Sequence, residues 1–239
     1  MALSITMRKL SIGVWSQNPS LSYLTKGPFV ASIISLSNSI FGQSYLGLKF
    51  FSLLAYIGTI IFIAYSSIAL KKDKNIGTTA LLITGLSPAL FFLGGVASTD
   101  AYLFFFWSLV LYGYIKFTLN KDVRWFYFIA LATGLGLLTK LSMALLPISI
   151  LIYFLFTEYR KYFYSIHLYF SALLAILIAS PIVIWNIDND WLTLSHEMGH
   201  LVSGTPSNNP EILLMTLIVT IPSALLLFKR DIRAKVFLK

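Results

Sequence analysis

Long apolar runs separated by short charged breaks dominate this chain of 239 residues. A helix that crosses a bilayer needs about 20 apolar residues, at a rise of about 1.5 Å each. Runs near that length lie at 46–70, 76–97, 101–119, 125–139, 141–157, 165–186 and 210–228. The pattern predicts an all-α, polytopic integral membrane helical bundle of about seven spans.

The composition agrees with a lipid-facing surface. Hydrophobic residues make up 57% of the chain and charged residues only 11%, whereas soluble domains carry about 25% charged residues. A formal charge of +9 would suggest a nucleic-acid partner in a soluble protein. Here most basic residues lie between the apolar runs, where topology and lipid headgroups explain them. The expected partner is therefore the lipid bilayer and not nucleic acid. The chain has no cysteine, which excludes disulfides and thiolate metal sites.

The breaks are of two kinds, and the two kinds alternate. Basic breaks lie at 71–74, 116–124, 160–161 and 229–239. The other breaks carry Asp100, then Lys140, then the stretch 188–200. Because basic clusters mark the cytoplasmic side of a membrane protein, we expect the second set to face the outside and to hold the functional site.

The same reasoning divides the chain into three regions. Residues 1–45 are predicted to form an extracytoplasmic loop, and 46–228 a transmembrane domain with an extracytoplasmic loop at 187–209. Residues 229–239 are then a basic cytoplasmic tail.

Two local features stand out within these regions. Residues 29–42 are only half as apolar as a span, but their isoleucines and Val30 recur at helical spacing. That pattern is typical of an amphipathic helix lying in the membrane interface. The short runs 125–139 and 141–157 predict a tight helical hairpin, with Lys140 at its tip extending toward the interface.

Asp100 is the first candidate for chemistry. A carboxylate at the interface costs several kcal/mol unless it is paired or hydrated, which favours a function. The competing interpretation is a helix N-cap, since Ser98, Thr99 or Asp100 is able to cap the helix that follows.

A second candidate is the polar, aromatic segment 14–28. Within it, Tyr23 and Lys26 would present a phenol and an ammonium group to a phosphate. The alternative is that both side chains only anchor the segment at the interface.

The third candidate is His196-Glu197-Met198-Gly199-His200. This matches H-E-x-x-H, in which two histidines one helical turn apart bind zinc and the glutamate polarises water. Nearby glycines disfavour a long helix, and no later histidine or aspartate lies in an outward break, which leaves Glu211 as the nearby candidate for a third ligand. A membrane zinc metalloprotease is kept as an alternative.

Five short motifs extend this picture over nearly the whole chain. They are Trp15-Ser16 with Tyr23-x-x-Lys26-Gly27-Pro28; Phe41-Gly42 with Leu48-Lys49; Thr99-Asp100-Ala101 with Phe106-Trp107; Gly134 to Lys140; and Ser180-Pro181 with Trp185-Asn186 and Asp190-Trp191. In this order they resemble the motifs of the family 39-like, dolichyl-phosphate-mannose mannosyltransferase-type membrane glycosyltransferases.

The resemblance implies a GT-C type enzyme, multi-pass in a prokaryotic inner membrane. Such an enzyme moves a sugar from a polyprenyl-phosphate donor to a lipid, glycan or protein acceptor on the extracytoplasmic face. It also implies that Tyr23 and Lys26 bind the donor phosphate and that Asp100 and His196 are catalytic. Lys140, Glu197 and His200 are additional candidates. The resemblance leaves open whether a divalent cation takes part.

The sequence departs from the family at one important place. Family members carry an acidic pair, taken as the source of the catalytic base, about seven residues before the Trp-Ser motif. Here those positions hold Arg8 and Lys9, and no span precedes them. We therefore expect a fragment of a longer enzyme that is inactive alone, with a non-enzymatic membrane protein as the remaining alternative.

Overall fold

Helices form nearly all the regular structure in the computed structural model, which describes residues 20, 22–23, 27–95, 98–192 and 195. All of these except Ser195 belong to one unit, Met1–Leu194. The α-helices are α1 (Pro28–Phe41), α2 (Tyr45–Lys71), α3 (Lys74–Gly85), α4 (Pro88–Gly94), α5 (Thr99–Asn120), α6 (Arg124–Leu137), α7 (Leu145–Leu155) and α8 (Ile166–Asp188). Two 3₁₀ helices, Leu141–Ala144 and Glu158–Tyr164, flank α7. The described residues contain no β-strand, so the prediction of an all-α bundle is confirmed.

Three of these helices are long and apolar enough to cross a membrane by themselves, namely α2, α5 and α8. A fourth crossing results if Leu141–Leu155 and Glu158–Tyr164, which are bent by 107°, form one broken span. Helix α6 is apolar but has only 14 residues. The expected span at 210–228 lies outside the described residues, and the count of seven spans stays a prediction.

The predicted span 76–97 is interrupted. Helix α3 ends at Gly85, and Pro88 occupies the first turn of α4. Proline lacks an N–H group and its ring clashes with the carbonyl four residues earlier, so it is well placed at the start of a helix and poorly placed inside one. Pro181, in contrast, lies inside α8.

Helix α1 confirms the helix predicted at 29–42. It begins at Pro28 and ends before Gly42, whose φ of 70° breaks the helical backbone. Val30 and Ile34 are buried, whereas Ile40 on the predicted apolar side is 60% exposed. The location of α1 in the membrane interface stays a prediction.

Side-chain contacts give the relative direction of α2 and α5. Near the start of both helices, the Ser52 hydroxyl donates to the Tyr102 hydroxyl at 3.1 Å. Further along, the Phe62 and Tyr112 rings lie 5.5 Å apart. Helices α2 and α5 therefore run in the same direction.

Helix α6 runs back along α5. Phe117 near the end of α5 packs against Phe126 near the start of α6, with ring centroids 4.6 Å apart. Tyr127 of α6 then contacts His167 at the start of α8, at 2.9 Å between the hydroxyl and Nδ1. Gly134 faces Ile178 further along, so α8 runs parallel to α6.

These directions sort the helix connections into two ends. We call residues 71–74, 120–124 and 157–165 the basic end, and residues 98–100, 138–140 and 188–192 the Asp100 end. The basic breaks of the described chain thus share one end, and Asp100 and Lys140 share the other. This grouping is the one that the alternation of charges predicted.

The apolar core that supports the Asp100 end is formed by α1, α2, α5, α6 and the turn after α6. Ile34 and Met143 are almost fully buried in it. Phe106 of α5 is 3% exposed. A side chain at Gly136 would meet the Met143 sulfur at 2.7 Å, so the hairpin turn packs tightly on α6. This packing fixes the backbone on which the candidate residues stand.

One prediction concerns the start of α5. The Ser98 hydroxyl accepts a hydrogen bond from the Asp100 N–H at 3.2 Å, whereas Ser87 precedes α4 with no such bond. Losing an N-cap costs about 1 kcal/mol. We expect Ser98→Ala to lower the thermal unfolding temperature in detergent micelles, while Ser87→Ala leaves it nearly unchanged. Equal effects of the two variants would contradict the assignment of Ser98 as the cap.

Candidate functional site

The contacts of Asp100 distinguish its two interpretations, a helix N-cap and a functional carboxylate. Ser98 is the N-cap of α5, with extended backbone and a side chain bonded to the Asp100 N–H. The cap is thus supplied by a neighbour, and the Asp100 carboxylate points elsewhere. Its Oδ1 atom accepts a hydrogen bond from the Lys140 ammonium group at 2.9 Å.

Lys140 reaches Asp100 because the turn after α6 is tightly bonded. The Thr139 hydroxyl donates to the Gly136 carbonyl at 2.6 Å, and the Lys140 N–H donates to the same carbonyl at 3.1 Å. Thr139 has no exposed surface. The backbone of Lys140 then extends away from the turn. The sequence predicted a lysine extending toward the interface, which stays a prediction; the structure adds that this lysine has a carboxylate partner.

The electrostatics of this pair suit a site that a substrate enters. A hydrogen bond between an ammonium group and a carboxylate is roughly twice as strong as a neutral one. Each group alone would be costly near the membrane interior, so each lowers the cost of the other. The Asp100 side chain is 38% exposed and that of Lys140 is 33% exposed. Both remain reachable from the end of the bundle.

The end of segment 14–28 docks on the same turn. The Phe29 N–H donates to the Leu138 carbonyl at 3.1 Å. The Phe29 ring packs edge-on against Tyr102 and Phe106 of α5, at 5.7 and 5.2 Å between centroids. Gly27 lies against Leu138 so closely that a Cβ atom would be 2.0 Å from the carbonyl oxygen. Lys26 itself, which precedes Gly27 in the sequence, lies outside the described residues.

Tyr23 is buried, with 9% of its surface exposed. Its hydroxyl oxygen accepts a hydrogen bond from the Ser20 N–H at 3.2 Å. Burial raises the pKa of the Tyr23 phenol above its ordinary value, and the bond from Ser20 opposes this in part. The phenol therefore keeps its proton at neutral pH. The predicted contact of Tyr23 with a phosphate would use that O–H as a donor.

The remaining candidates lie after α8. His196, Glu197 and His200 are outside the described residues, so both the zinc motif and the catalytic role of His196 stay predictions. Asp188 ends α8, and the chain then turns through Asp190 and Trp191, which have φ values of 50° and 57°. Within the described ranges, no three histidine or acidic side chains are placed to share a metal ion.

Sequence reasoning named Asp100 and Lys140 separately but missed their contact. The sequence did contain a sign of this contact, because Asp100 and Lys140 carry opposite charges in two successive breaks predicted to face outward. It also missed the contact of Gly27 and Phe29 with the turn at Leu138. The pattern Lys26-Gly27-Pro28 contains a glycine, but only the structure shows what that glycine faces.

The fold and this charged pair define an all-α membrane protein with a polar site at one end of its bundle. Residues 25–185 match the family model described as dolichyl-phosphate-mannose-protein mannosyltransferase. The match covers more than half of the chain, and the chain belongs to that family. The resemblance drawn from the five motifs is confirmed.

Two relatives are similar to this chain. A lipid A galacturonosyltransferase of Rhizobium johnstonii is 24% identical over 192 residues, which are 76% of this chain and 38% of that protein. An uncharacterized protein of Aquifex aeolicus is 28% identical over 157 residues, 65% of this chain and 32% of that protein. The matched part of the chain thus spans about a third of the length of each relative. No solved structure matches it.

Proposed function

We propose that this chain forms part of a membrane glycosyltransferase in a prokaryotic inner membrane. It takes a sugar from a polyprenyl-phosphate donor and passes it to a lipid, glycan or protein acceptor on the extracytoplasmic face. Family membership supports the transfer of a sugar within a membrane. The similarity to a protein named lipid A galacturonosyltransferase supports a lipid as one of these three kinds of acceptor.

The contact between Asp100 and Lys140 carries the proposal. An ammonium group has three N–H donors, and Asp100 accepts one of them. The other two are available to the oxygens of a phosphate at the Asp100 end. As the bond between sugar and phosphate breaks, negative charge grows on the phosphate, and a fixed cation stabilises that charge more in the transition state than in the donor.

The other candidate residues take roles around this pair. Lys26 would supply a second cation, and the Tyr23 O–H a neutral donor, to the same phosphate. Asp100 orients Lys140 and balances its charge in the absence of donor. His196 or Asp100 would accept the proton of the attacking acceptor hydroxyl, with Glu197 and His200 close in sequence to assist.

The topology of the proposal is tested by single cysteines, since the chain has none. We expect cysteines at Lys72, Lys121 and Lys161 to react only after the membrane is opened. Cysteines at Asp190 and Leu192, at the Asp100 end, are expected to react from outside in intact cells. Labelling of both ends from the same side would contradict an extracytoplasmic site.

The donor site is tested by binding, which needs no turnover. We expect Lys26→Ala to weaken binding of a polyprenyl phosphate to the purified protein by roughly tenfold to hundredfold. A charge-assisted hydrogen bond of about 1.5–3 kcal/mol is then lost. Lys74→Ala, at the basic end, is the matched control and should bind like wild type. Unchanged binding by Lys26→Ala would leave that lysine as an interfacial anchor.

A further inference from the structure

A rigid group of aromatic rings closes the basic end of the bundle. Phe117 is fully buried, and Phe126 and Phe154 are 4% and 2% exposed. Tyr159 stacks on Phe154 at 5.2 Å, and Tyr162 meets Phe117 edge-on at 4.8 Å. We call these five residues the aromatic platform. They join α5, α6, α7 and the 3₁₀ helix Glu158–Tyr164.

That 3₁₀ helix lies across the end of α7. It is bent by 107° from Leu141–Leu155, so it runs near the plane of the membrane if α7 crosses it. Phe156 just before it is 84% exposed, and Tyr164 at its end is 93% exposed. Aromatic side chains that flank a basic segment in this way are typical of elements held at a membrane interface.

Cations surround the platform in excess. Segments 116–124 and 158–161 contain five basic residues, Lys116, Lys121, Arg124, Arg160 and Lys161, and two acidic residues, Asp122 and Glu158. Both carboxylates are already paired, Asp122 with Arg124 at 3.3 Å and Glu158 with Lys121 at 3.5 Å.

Two of the three surplus cations lie near rings instead of carboxylates. Lys161 lies 5.5 Å from the Tyr162 ring centroid and Lys116 lies 5.8 Å from that of Trp125. Among the described residues, neither they nor the exposed Arg160 has a carboxylate within 4.0 Å. The surface around the aromatic platform is therefore positive. Its surplus cations stand on a fixed backbone and have no carboxylate partner among the described residues.

We propose that this surface binds the headgroup of an anionic phospholipid, with Arg160 and Lys161 contacting its phosphate and the exposed Phe156 and Tyr164 inserted beside the acyl chains. The charge balance favours an anionic over a zwitterionic headgroup. If α7 crosses the membrane, the 3₁₀ helix lies near the membrane plane and places both cations at the depth of lipid phosphates. This site is at the opposite end from Asp100 and does not depend on sugar transfer.

The test uses the full chain in phosphatidylcholine bicelles titrated with phosphatidylglycerol. We expect phosphatidylglycerol to raise the thermal unfolding temperature of the wild type. Each basic residue near an anionic surface contributes about fivefold in affinity. The pair Arg160→Gln with Lys161→Gln should therefore need about 25-fold more phosphatidylglycerol for half of the effect. Raising the salt concentration should weaken the wild-type effect in the same direction.

Two control variants separate this site from general charge at the basic end. Lys71→Gln with Lys74→Gln removes the same charge at the same end but away from the platform, and should respond like wild type. Arg160→Lys with Lys161→Arg keeps both charges and should also respond like wild type, even if the glutamine pair folds poorly. Loss of the response in Lys71→Gln with Lys74→Gln, loss in the charge-preserving swap, or no response of the wild type would overturn the proposal.

Discussion

Replacing Asp100 by asparagine is expected to lower sugar transfer roughly tenfold to hundredfold. The change keeps the shape of the side chain but removes the charge that holds the Lys140 ammonium group at 2.9 Å. Lys140→Gln should cost a similar factor, because hydrogen bonds to charged groups contribute about 1.5–3 kcal/mol. Transfer is measured in an intact or reconstituted enzyme, in liposomes that contain a labelled polyprenyl-phosphate sugar. Asp188→Asn, at the same end but outside the pair, is the control and should matter less.

The double variant shows whether the two residues act together. If Asp100 works by orienting Lys140, then Asp100→Asn with Lys140→Gln should be no slower than the worse single variant, because residues that act as a unit are not additive. If their losses multiply, the two residues act independently. Wild-type rates in both single variants would reduce the pair to a structural ion bridge.

The long helices could be predicted because apolarity alone specifies them. Spans at 46–70, 101–119 and 165–186 match α2, α5 and α8 within a few residues. The break at Pro88 was harder, because a proline that kinks a helix and one that starts a helix look alike in an apolar run. Tertiary contacts distinguish the two cases. Here the Tyr56 hydroxyl of α2 donates a hydrogen bond at 2.6 Å to the carbonyl of Gly85, the last residue of α3 before the break.

The candidate site was predictable as a set of residues but not as a geometry. Ser98, Thr99 and Asp100 are all good caps, so composition could not tell which one caps α5. The contact of Asp100 with Lys140 depends on where the turn after α6 ends relative to the start of α5. A shift of one residue in that turn would rotate Lys140 by about 100°, and no local pattern encodes the register. The roles of Lys26 and His196 stay predictions.

Replacing Gly27 by alanine is expected to release the segment that carries Lys26 from the hairpin turn. The added Cβ atom would lie 2.0 Å from the Leu138 carbonyl oxygen and 2.5 Å from its carbon. Both are backbone atoms of a turn that its own hydrogen bonds hold, so neither is able to move aside. The Phe29 N–H bond to Leu138 and the Phe29 ring contacts with α5 should then be lost. We expect a loss of about 2–3 kcal/mol in stability, at the large end of overpacking effects.

The matched control for this change is Gly95→Ala. A Cβ atom at Gly95 would meet its nearest neighbour at 3.5 Å, an ordinary contact, so stability should change little. Thermal unfolding of both variants in the same detergent gives the comparison.

Binding of a polyprenyl phosphate to Gly27→Ala then shows what the docked segment contributes to the donor site. If Gly27→Ala binds a polyprenyl phosphate as weakly as Lys26→Ala, the docking of Gly27 on Leu138 is what lets Lys26 contribute to donor binding. If Gly27→Ala unfolds at the wild-type temperature, the segment is not docked on the turn, and Lys26 and Lys140 have no structural reason to share one phosphate.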